Sequence, residues 1–265
     1  MRGMRLQESF EEYLEEFTRT ILEITKRERL DEELVGFVKD VERISNYILK
    51  IRKTPKAERD ATGREISRFE WTTQPATPER IYLSFPLGSW RYRPNEIDMI
   101  PYMNQAGRMI AQRENIAIVK GLLSSVGEEF TDGHTKEKVR EAINWIAESE
   151  HYPDLLLIHP MDRALLEKEG VIVPIWQLPQ DFRKQKGSHF LGMSEGALDV
   201  HWMSWEELRG TAIMYEKSGI TLERTPLRIH FDNNKDHLIV DEERISWSTD
   251  EKSVAKMNFN TAIIS

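Results

Sequence analysis

The sequence contains no cysteine. Disulfide bonds, thiolate metal sites and a cysteine nucleophile are therefore excluded, and a reducing cytoplasm fits this composition. No apolar core of signal-peptide length follows the first methionine, and no apolar run approaches the ~20 residues that span a bilayer. We therefore expect a cytoplasmic protein with no membrane partner.

Positive charge is scarce relative to negative charge. Lys and Arg number 37 against 45 Asp and Glu, which gives a formal net charge of -8 at pH 7, and the basic residues form no cluster. A general phosphate-binding surface is therefore not expected. Large apolar side chains are plentiful, with seven Trp, ten Phe and seven Tyr among 265 residues. They are enough for a sizeable core in one or two domains.

Sequence motifs of enzyme chemistry are absent. The glycines are too scattered for a phosphate-binding loop, no serine lies in a nucleophile elbow, and the histidines lack the paired helical spacing of metalloproteases. We predict no catalytic residue, no cofactor and no resident metal.

A few weaker candidates for chemistry remain. Asp232, Asp236 and His237 lie in a predicted turn, and the acidic series 241–243 (DEE) follows it. Either group could line an ion path, but such turns need Asp and Asn for their own geometry, so we interpret both mainly as solvated charges. Trp90, within residues 90–93 (WRYR), could stack on a base or a flavin ring. Its more ordinary interpretation is an anchor where a loop rejoins the body.

Residues 8–53 predict two helices, because apolar residues recur at spacings of three and four. The stripes are Phe10, Leu14, Phe17, Ile21 and Ile24 in the first helix and Leu34, Phe37, Val41, Ile44, Ile48 and Ile51 in the second. The other faces are densely charged, so the stripes must be buried in an internal hairpin, against a neighbour or against cargo. The candidates for arm packing or for facing cargo are Phe10, Leu14, Phe17 and Ile21.

Residues 53–78 predict a long loop, since Pro55, Gly63 and Pro75 interrupt a polar stretch. A loop of this length is unusual inside a compact domain, which favours a projecting arm that contacts another molecule. Within it, residues 64–71 alternate partly like a strand and predict a projecting hairpin closed by residues 80–85. The candidate assembly-interface residues are Ile66, Phe69, Trp71, Tyr82, Phe85 and Trp90.

The remainder of the chain predicts an α+β fold. The longest helix signal opens near residues 95–101 and ends at Gly121, and a shorter helix follows Thr135. The continuous apolar run at 155–158 is typical of a strand buried on both faces, and a brief helix follows over 161–169. The other predicted strands are 197–203, 211–215, the arms 220–231 and 237–248 of a long hairpin, and 254–264.

This order of elements resembles the tailed-phage major capsid fold and its cellular relatives, the encapsulins. The resemblance covers roughly residues 64–265 and rests on the order and spacing of motifs that are each short. The similar stretches are 110–121 (IAQRENIAIVKG) at the end of the family's spine helix, 155–163 (LLLIHPMDR) at its apolar strand, and 220–224 (ITLER), 241–244 (DEER) and 261–264 (TAII) in its C-terminal part. His159 departs from the family's Asn.

The resemblance implies a two-lobed subunit without an active site. The implied parts are an N-terminal helical arm over 1–58, an extended loop over 59–95, a peripheral domain over 96–127 and 219–265, and an axial domain over 128–218. The peripheral domain holds the spine helix, the long hairpin and the last strand, and the extended loop overlies a neighbour.

The implied function is self-assembly of many copies into a closed icosahedral shell, an encapsulin-type nanocompartment. Its partners are further copies of the chain and an enclosed cargo protein of the peroxidase or ferritin-like kind. The small size and the lack of a long scaffolding-like N-terminal region favour this interpretation. The alternative is a major capsid protein of a tailed virus or provirus that packages DNA, and only then is nucleic acid expected. A second alternative is a cytoplasmic metal-dependent enzyme that uses the acidic hairpin.

Overall fold

The computed structural model describes residues 2–53, 57–59, 61–62, 65–67, 70–87, 100–184, 186, 189–248 and 250–259; within these, side chains are described except at 2–11, 51–53, 57–59, 65–67 and 70–71. The α-helices of this part are α1 (Arg2–Glu28), α2 (Asp31–Leu34), α3 (Ile100–Ser124), α4 (Thr135–Ala147), α5 (Arg163–Lys168) and α6 (Gln180–Arg183). Among these residues, no helix is long and apolar enough to cross a bilayer.

The strands fall into two large sheets and two small ones. Those of the N-terminal half are β1 (Phe37–Asp40), β2 (Tyr47–Lys53), β3 (Ala57–Arg59), β4 (Glu65–Ser67), β5 (Glu70–Pro75), β6 (Glu79–Pro86) and β7 (Glu128–Phe130). Those that follow are β8 (Leu155–Ile158), β9 (Ile172–Pro174), β10 (Phe190–Ser194), β11 (Asp199–Trp202), β12 (Thr211–Tyr215), β13 (Ile220–Arg224), β14 (Arg228–Asp232), β15 (His237–Ser248) and β16 (Val254–Asn258).

The five-stranded sheet is organised around β15. Strands β13 and β14 pair antiparallel with its two halves along one edge, β6 pairs antiparallel along the other edge, and β1 pairs parallel with β13. Alternate residues of β15, from Glu242 to Ser248, are buried, which is the period-two pattern of a strand with one covered face.

The helix α3 covers that face of β15 and is the predicted spine helix. The two elements meet where both have small residues. A Cβ at Gly121 would clash with the side chain and backbone of Ser246, and the Ser246 hydroxyl donates to the Ile118 carbonyl at 3.0 Å. The glycine is therefore required by the close approach of the helix to the sheet.

The seven-stranded sheet has the order β7-β16-β12-β8-β11-β10-β9. All four residues of β8 are buried, because each face of the strand is covered by a helix. Leu156 packs in a cluster with Ile146 of α4, and Leu157 packs in a second cluster with Leu122 of α3. We call the two large sheets together with α1, α3 and α4 the body.

The chain crosses between the two large sheets at several connections. Residues 216–219 lead from β12 to β13, and residues 250–253 lead into β16 after β15. The two connections touch, since the Glu216 amide donates to the Ser253 carbonyl at 3.2 Å. This junction therefore ties the two sheets together.

Several predicted elements are confirmed. The spine helix spans Ile100–Ser124, the shorter helix spans Thr135–Ala147, and the strand Leu155–Ile158 is buried on both faces. The long hairpin is present with its turn between Asp232 and His237, although Pro226 falls in a break between β13 and β14. The last strand ends at Asn258 and pairs with β12 and β7 instead of accompanying the hairpin.

The prediction of a second helix within the arm is wrong. Only α2 is helical there, and the chain then forms β1 and β2. Tertiary hydrogen bonds override the helical spacing: the Gly36 amide donates to the Ile220 carbonyl, and the Val41 amide donates to the Arg224 carbonyl. Phe37, a member of the predicted buried stripe, is 62% exposed.

The prediction that residues 64–71 and 80–85 close one hairpin is also wrong. Strand β5 pairs with β2, whereas β6 pairs with β15. The error follows from the first one, because a helix assigned to residues 34–51 removed the true partner of β5. The domain boundaries at 58, 95, 127 and 218 stay predictions.

Candidate assembly surface

Strands β2 and β5 form a two-stranded antiparallel ribbon, in which Tyr47 lies opposite Pro75 and Ile51 opposite Trp71. We call this pair the ribbon. In the part of the chain that the structure describes, no further strand pairs with either of its edges. An isolated two-stranded hairpin is only marginally stable in water, and a free strand edge is a template for pairing with another chain. The ribbon is therefore a segment that would gain stability from an outside partner.

The side chains of β2 alternate between the body and solvent. Ile48 and Lys50 are 8% and 7% exposed, whereas Tyr47 and Leu49 are 62% and 55% exposed. A long apolar stem lets Lys50 be buried while its ammonium lies 3.4 Å from the carboxylate of Glu251. The ribbon is thus anchored on one face and presents large apolar side chains on the other.

A cavity of about 330 Å³ lies between the base of the ribbon and the spine helix. Its lining includes an ion pair between Lys120 of the spine helix and Glu79 at the start of β6, with 2.6 Å between the ammonium and the carboxylate. The base of the ribbon is therefore less completely packed than the cores of the two large sheets, and polar contacts contribute to holding it in place.

The six candidate interface residues are distributed as follows. Ile66 lies in β4 and Trp71 in β5, but their side chains are outside the described part, and Phe69 and Trp90 lie outside it altogether. Tyr82 on β6 is 53% exposed. Phe85 points to the opposite face and packs in the core of its own subunit, 7% exposed, because strand residues alternate sides.

The stripe of the arm helix is buried against the spine helix. Phe17 and Ile21 have no exposed surface and pack in one cluster with Ile110. Leu14 is partly buried in the same cluster, and the side chain of Phe10 is outside the described part. The described portion of this stripe is therefore buried within the chain, against the spine helix.

A buried charge cluster fixes the end of α1. The guanidinium of Arg29 donates to both carboxylate oxygens of Glu114, at 2.6 and 2.5 Å. Arg244 of β15 donates to Glu114 at 2.9 Å and lies 3.0 Å from Glu242. Glu114, Glu242 and Arg244 have fully buried side chains, so the arm, the spine helix and the sheet share one desolvated ion network.

Burial raises the pKa of Glu242 to about 8, and the neighbouring charge of Glu114 adds to the increase, although Arg244 opposes it. The interpretation of Glu242 as a solvated charge is therefore wrong. Alternation along β15 is the reason: Glu242 faces the spine helix, whereas Asp241 faces outward and accepts two hydrogen bonds from Arg80 at 2.7 Å.

The other acidic candidates do not converge on one point. Asp232 accepts from the Asn234 amide at 3.0 Å, as turn geometry requires, and His237 Nδ1 lies 3.1 Å from the Ser84 hydroxyl. Within the described residues, no group of three or more His, Asp or Glu side chains is placed to hold a metal ion.

A second exposed apolar surface was not found from the sequence. Val173 on β9 and Trp176 just after it are 45% and 63% exposed and line one groove. Strand β9 ends the order of the seven-stranded sheet, so its outer edge is free among the described strands. In the sequence, the feature that could have indicated this surface is Trp176, which lies between Pro174 and Pro179.

His159, which stands where the resemblance led us to expect Asn, caps the short helical turn that follows β8. Its ring Nδ1 accepts a hydrogen bond from the Met161 amide at 3.2 Å, as an N-cap side chain does. Asp162 then accepts from the Gly210 amide at 2.8 Å. The motif therefore organises the turn after β8 with a different side chain.

No protein-family model matches the sequence, and no curated protein matches it. Solved structures do match. A virus-like particle subunit from Pyrococcus furiosus has a TM-score of 0.61 and 13% identity, covering 93% of this chain and 100% of that one. The chain has the capsid fold.

Further capsid-fold structures come from viruses and from cells. A structure from Mycobacterium phage Bobi has a TM-score of 0.56 and 12% identity, with coverage of 88% of this chain and 90% of that one. The encapsulin of Synechococcus elongatus has a TM-score of 0.53 and 14% identity, with coverage of 86% and 85%. The capsid fold therefore extends over most of the chain, and these likenesses do not separate an encapsulin from a phage capsid.

Proposed function

We propose that this chain is the structural subunit of an encapsulin-type compartment, in which many copies close into an icosahedral shell around a protein cargo in the cytoplasm. The proposal rests mainly on the ribbon. In a chain of capsid fold, this segment has unpaired strand edges among the described residues and exposes large apolar side chains. A wall protein of this kind needs no active site.

Assembly would complete what the single chain leaves open. The ribbon lies on an adjacent copy, and the free edge of β9 with Trp176 meets a further copy. Each such contact needs to bury only the ~1,600 Å² of an ordinary protein interface, because symmetry repeats it around the shell. Modest pairwise contacts then add up to a stable particle.

Charge supports a protein cargo over DNA. The chain carries a net charge of -8, and a wall of such subunits repels a packaged polyanion unless cations concentrate on the inner surface. The major capsid protein of a DNA-packaging virus remains the alternative outcome of the cargo experiment below.

The assembly experiment changes the exposed face of the ribbon. The double variant Tyr47→Ser, Leu49→Ser removes the two apolar side chains while leaving the anchoring residues Ile48 and Lys50 in place. Light scattering and electron microscopy of the purified protein should show particles for the wild type and small, folded species for the variant. The matched control is Tyr152→Ser, at a 77% exposed tyrosine outside the ribbon, which should leave particles unchanged. A wild-type protein that stays a monomer or dimer would end the proposal.

The cargo experiment analyses what purifies with the particles. Nuclease treatment followed by the 260/280 nm absorbance ratio measures enclosed nucleic acid, and mass spectrometry identifies enclosed proteins. An encapsulin-type shell predicts a protein, such as a peroxidase or a ferritin-like protein, and little protected nucleic acid. Protected DNA of uniform length would instead favour the viral alternative.

A further inference from the structure

His151 lies between two carboxylates, one on each side of its ring. Its Nδ1 is 2.7 Å from Glu216 Oε2, and its Nε2 is 3.1 Å from Asp250 Oδ2. Ionised carboxylates only accept hydrogen bonds, so each ring nitrogen must donate a proton. Only the imidazolium has two N–H groups, and the geometry therefore corresponds to the charged form of His151.

The two carboxylates belong to the two connections that cross between the large sheets. Glu216 follows β12 on the way to β13, and Asp250 follows β15 on the way to β16. His151 itself precedes β8, at the centre of the seven-stranded sheet. The imidazolium thus bridges the points where the chain leaves one sheet for the other, in both directions.

Each carboxylate is held in place by its own connection. The second oxygen of Glu216 accepts from the Ser218 hydroxyl at 2.8 Å, and that of Asp250 accepts from the Lys252 amide at 2.9 Å. The carboxylate oxygens that face His151 are therefore held in position independently of the histidine. The protonated ring joins them by donating one hydrogen bond to each.

The other charged groups near this bridge come from the same three segments. Asp154, in the segment of His151, accepts from the Lys217 amide at 2.7 Å, and its charge acts on Glu216, as the charge of Lys252 acts on Asp250. Burial raises the pKa of Asp154, with a smaller increase from Glu216. Asp250 and Glu216 are the charged groups that act on His151 itself, and the imidazole faces both of them directly.

We propose that His151 is a protonation-dependent clasp: as the imidazolium it joins the two crossing connections, and as neutral imidazole it releases one of them and loosens the junction between the sheets. Neutral imidazole has a single N–H, so one of the two hydrogen bonds must be lost. The inference concerns the chain itself and does not depend on the proposed shell function.

The hydrogen bond to Asp250 raises the pKa of His151 above its ordinary 6.5, against burial and with help from Glu216. The contribution of the clasp is therefore complete below pH 6.5 and is lost as the pH rises through the raised value. On the acid side, burial alone would raise the pKa of Asp250, but hydrogen bonds from His151 and the Lys252 amide hold it below 3.8. The clasp is intact between these limits.

The first experiment measures deuterium exchange at the ring C2 carbon of each histidine in the full-length wild-type protein, by mass spectrometry between pH 5 and 10. His151 should titrate with a midpoint clearly above 6.5. A midpoint at or below 6.5 overturns the proposal. This measurement needs no variant and is applicable to subunits and particles alike.

The second experiment compares amide exchange in the wild type and in His151→Gln, since glutamine has no charge that titrates. At pH 6 the segments 216–219 and 250–253 should exchange roughly tenfold faster in the variant, the effect of losing a charge-assisted hydrogen bond. At pH 9 the two proteins should exchange alike. The control is His230→Gln, at an exposed histidine on β14, which should match the wild type in these segments at both pH values.

A structural role without a switch gives a different result. If the ratio of variant to wild-type exchange is the same at pH 6 and pH 9, the histidine acts only by packing and the clasp is refuted. If His151→Gln does not fold, the C2 titration of the wild type decides alone.

Discussion

In the body, strand β8 has helices on both faces and strands on both edges, whereas in the ribbon β2 has one covered face and, among the described strands, one partner. Strand β8 is apolar throughout (LLLI), whereas β2 (YILKIRK) mixes apolar and basic residues. The two strands also differ in what surrounds them. At β8 the chain pairs both strand edges and buries all four side chains, whereas the described part of the ribbon has unpaired outer edges and exposes Tyr47 and Leu49. Substitutions in the body should therefore lower the stability of the fold, whereas substitutions in the ribbon should mainly reduce assembly.

The largest effect is expected in the buried charge cluster of the body. Glu114→Gln would leave Arg29 and Arg244 without their shared carboxylate, and breaking one partner of a buried ion network costs roughly 3–5 kcal/mol of unfolding free energy. Thermal unfolding followed by circular dichroism should show a melting temperature lower by roughly 10 °C. Glu141→Gln, at an exposed position of α4, is the matched control and should stay near the wild type.

The next effect is expected at the centre of the seven-stranded sheet. Leu156→Ala removes a side chain with no exposed surface and leaves a cavity between β8 and α4, at a cost of about 3 kcal/mol. Chemical denaturation should show a lower midpoint with an unchanged slope. Val173→Ala, at the half-exposed edge of the same sheet, should cost much less. An equal cost at both sites would contradict the described burial.

A pH-dependent effect is expected from Glu242. Because its pKa in the folded protein is about 8, the folded chain keeps a proton that the unfolded chain releases near pH 4.5. Unfolding free energy should therefore fall as the pH rises from 5 to 8, by on the order of 1 kcal/mol per pH unit. Glu242→Gln should flatten this part of the stability profile while leaving stability near pH 5 close to that of the wild type. A wild-type profile that rises over this range would show that Glu242 stays ionised.

The smallest effect on folding is expected in the ribbon. Leu49→Ser alters a side chain that is 55% exposed, and such surface changes usually shift the unfolding free energy by no more than about 0.5 kcal/mol. The same variant should nevertheless reduce particle yield, if the ribbon binds an adjacent copy. A loss of several kcal/mol would mean that the ribbon is part of the body's core, and the contrast drawn above would disappear.

The elements that could be predicted from sequence are those whose pattern and surroundings agree. The run at 155–158 is apolar throughout because both faces of β8 are covered, and the spine helix has a periodic buried face that ends near Gly121. In both cases local pattern and tertiary contacts point to the same structure.

Residues 34–51 were mispredicted because their spacing fits a helix while their strand partners lie elsewhere in the chain, in β13 for β1 and in β5 for β2. The buried charge cluster was missed for a related reason. Glu114 within an otherwise apolar helix face was visible as an exception, but its partners Arg29 and Arg244 are brought to it only by the fold. The bridge at His151 likewise joins three segments that no sequence window contains together.

The position of β16 has a consequence for synthesis. This strand inserts between β12 and β7 near one edge of the seven-stranded sheet, so β7 has no strand partner there until residue 258 has left the ribosome. Folding during translation can form helices and local hairpins earlier, but the seven-stranded sheet is complete only after β16 has emerged.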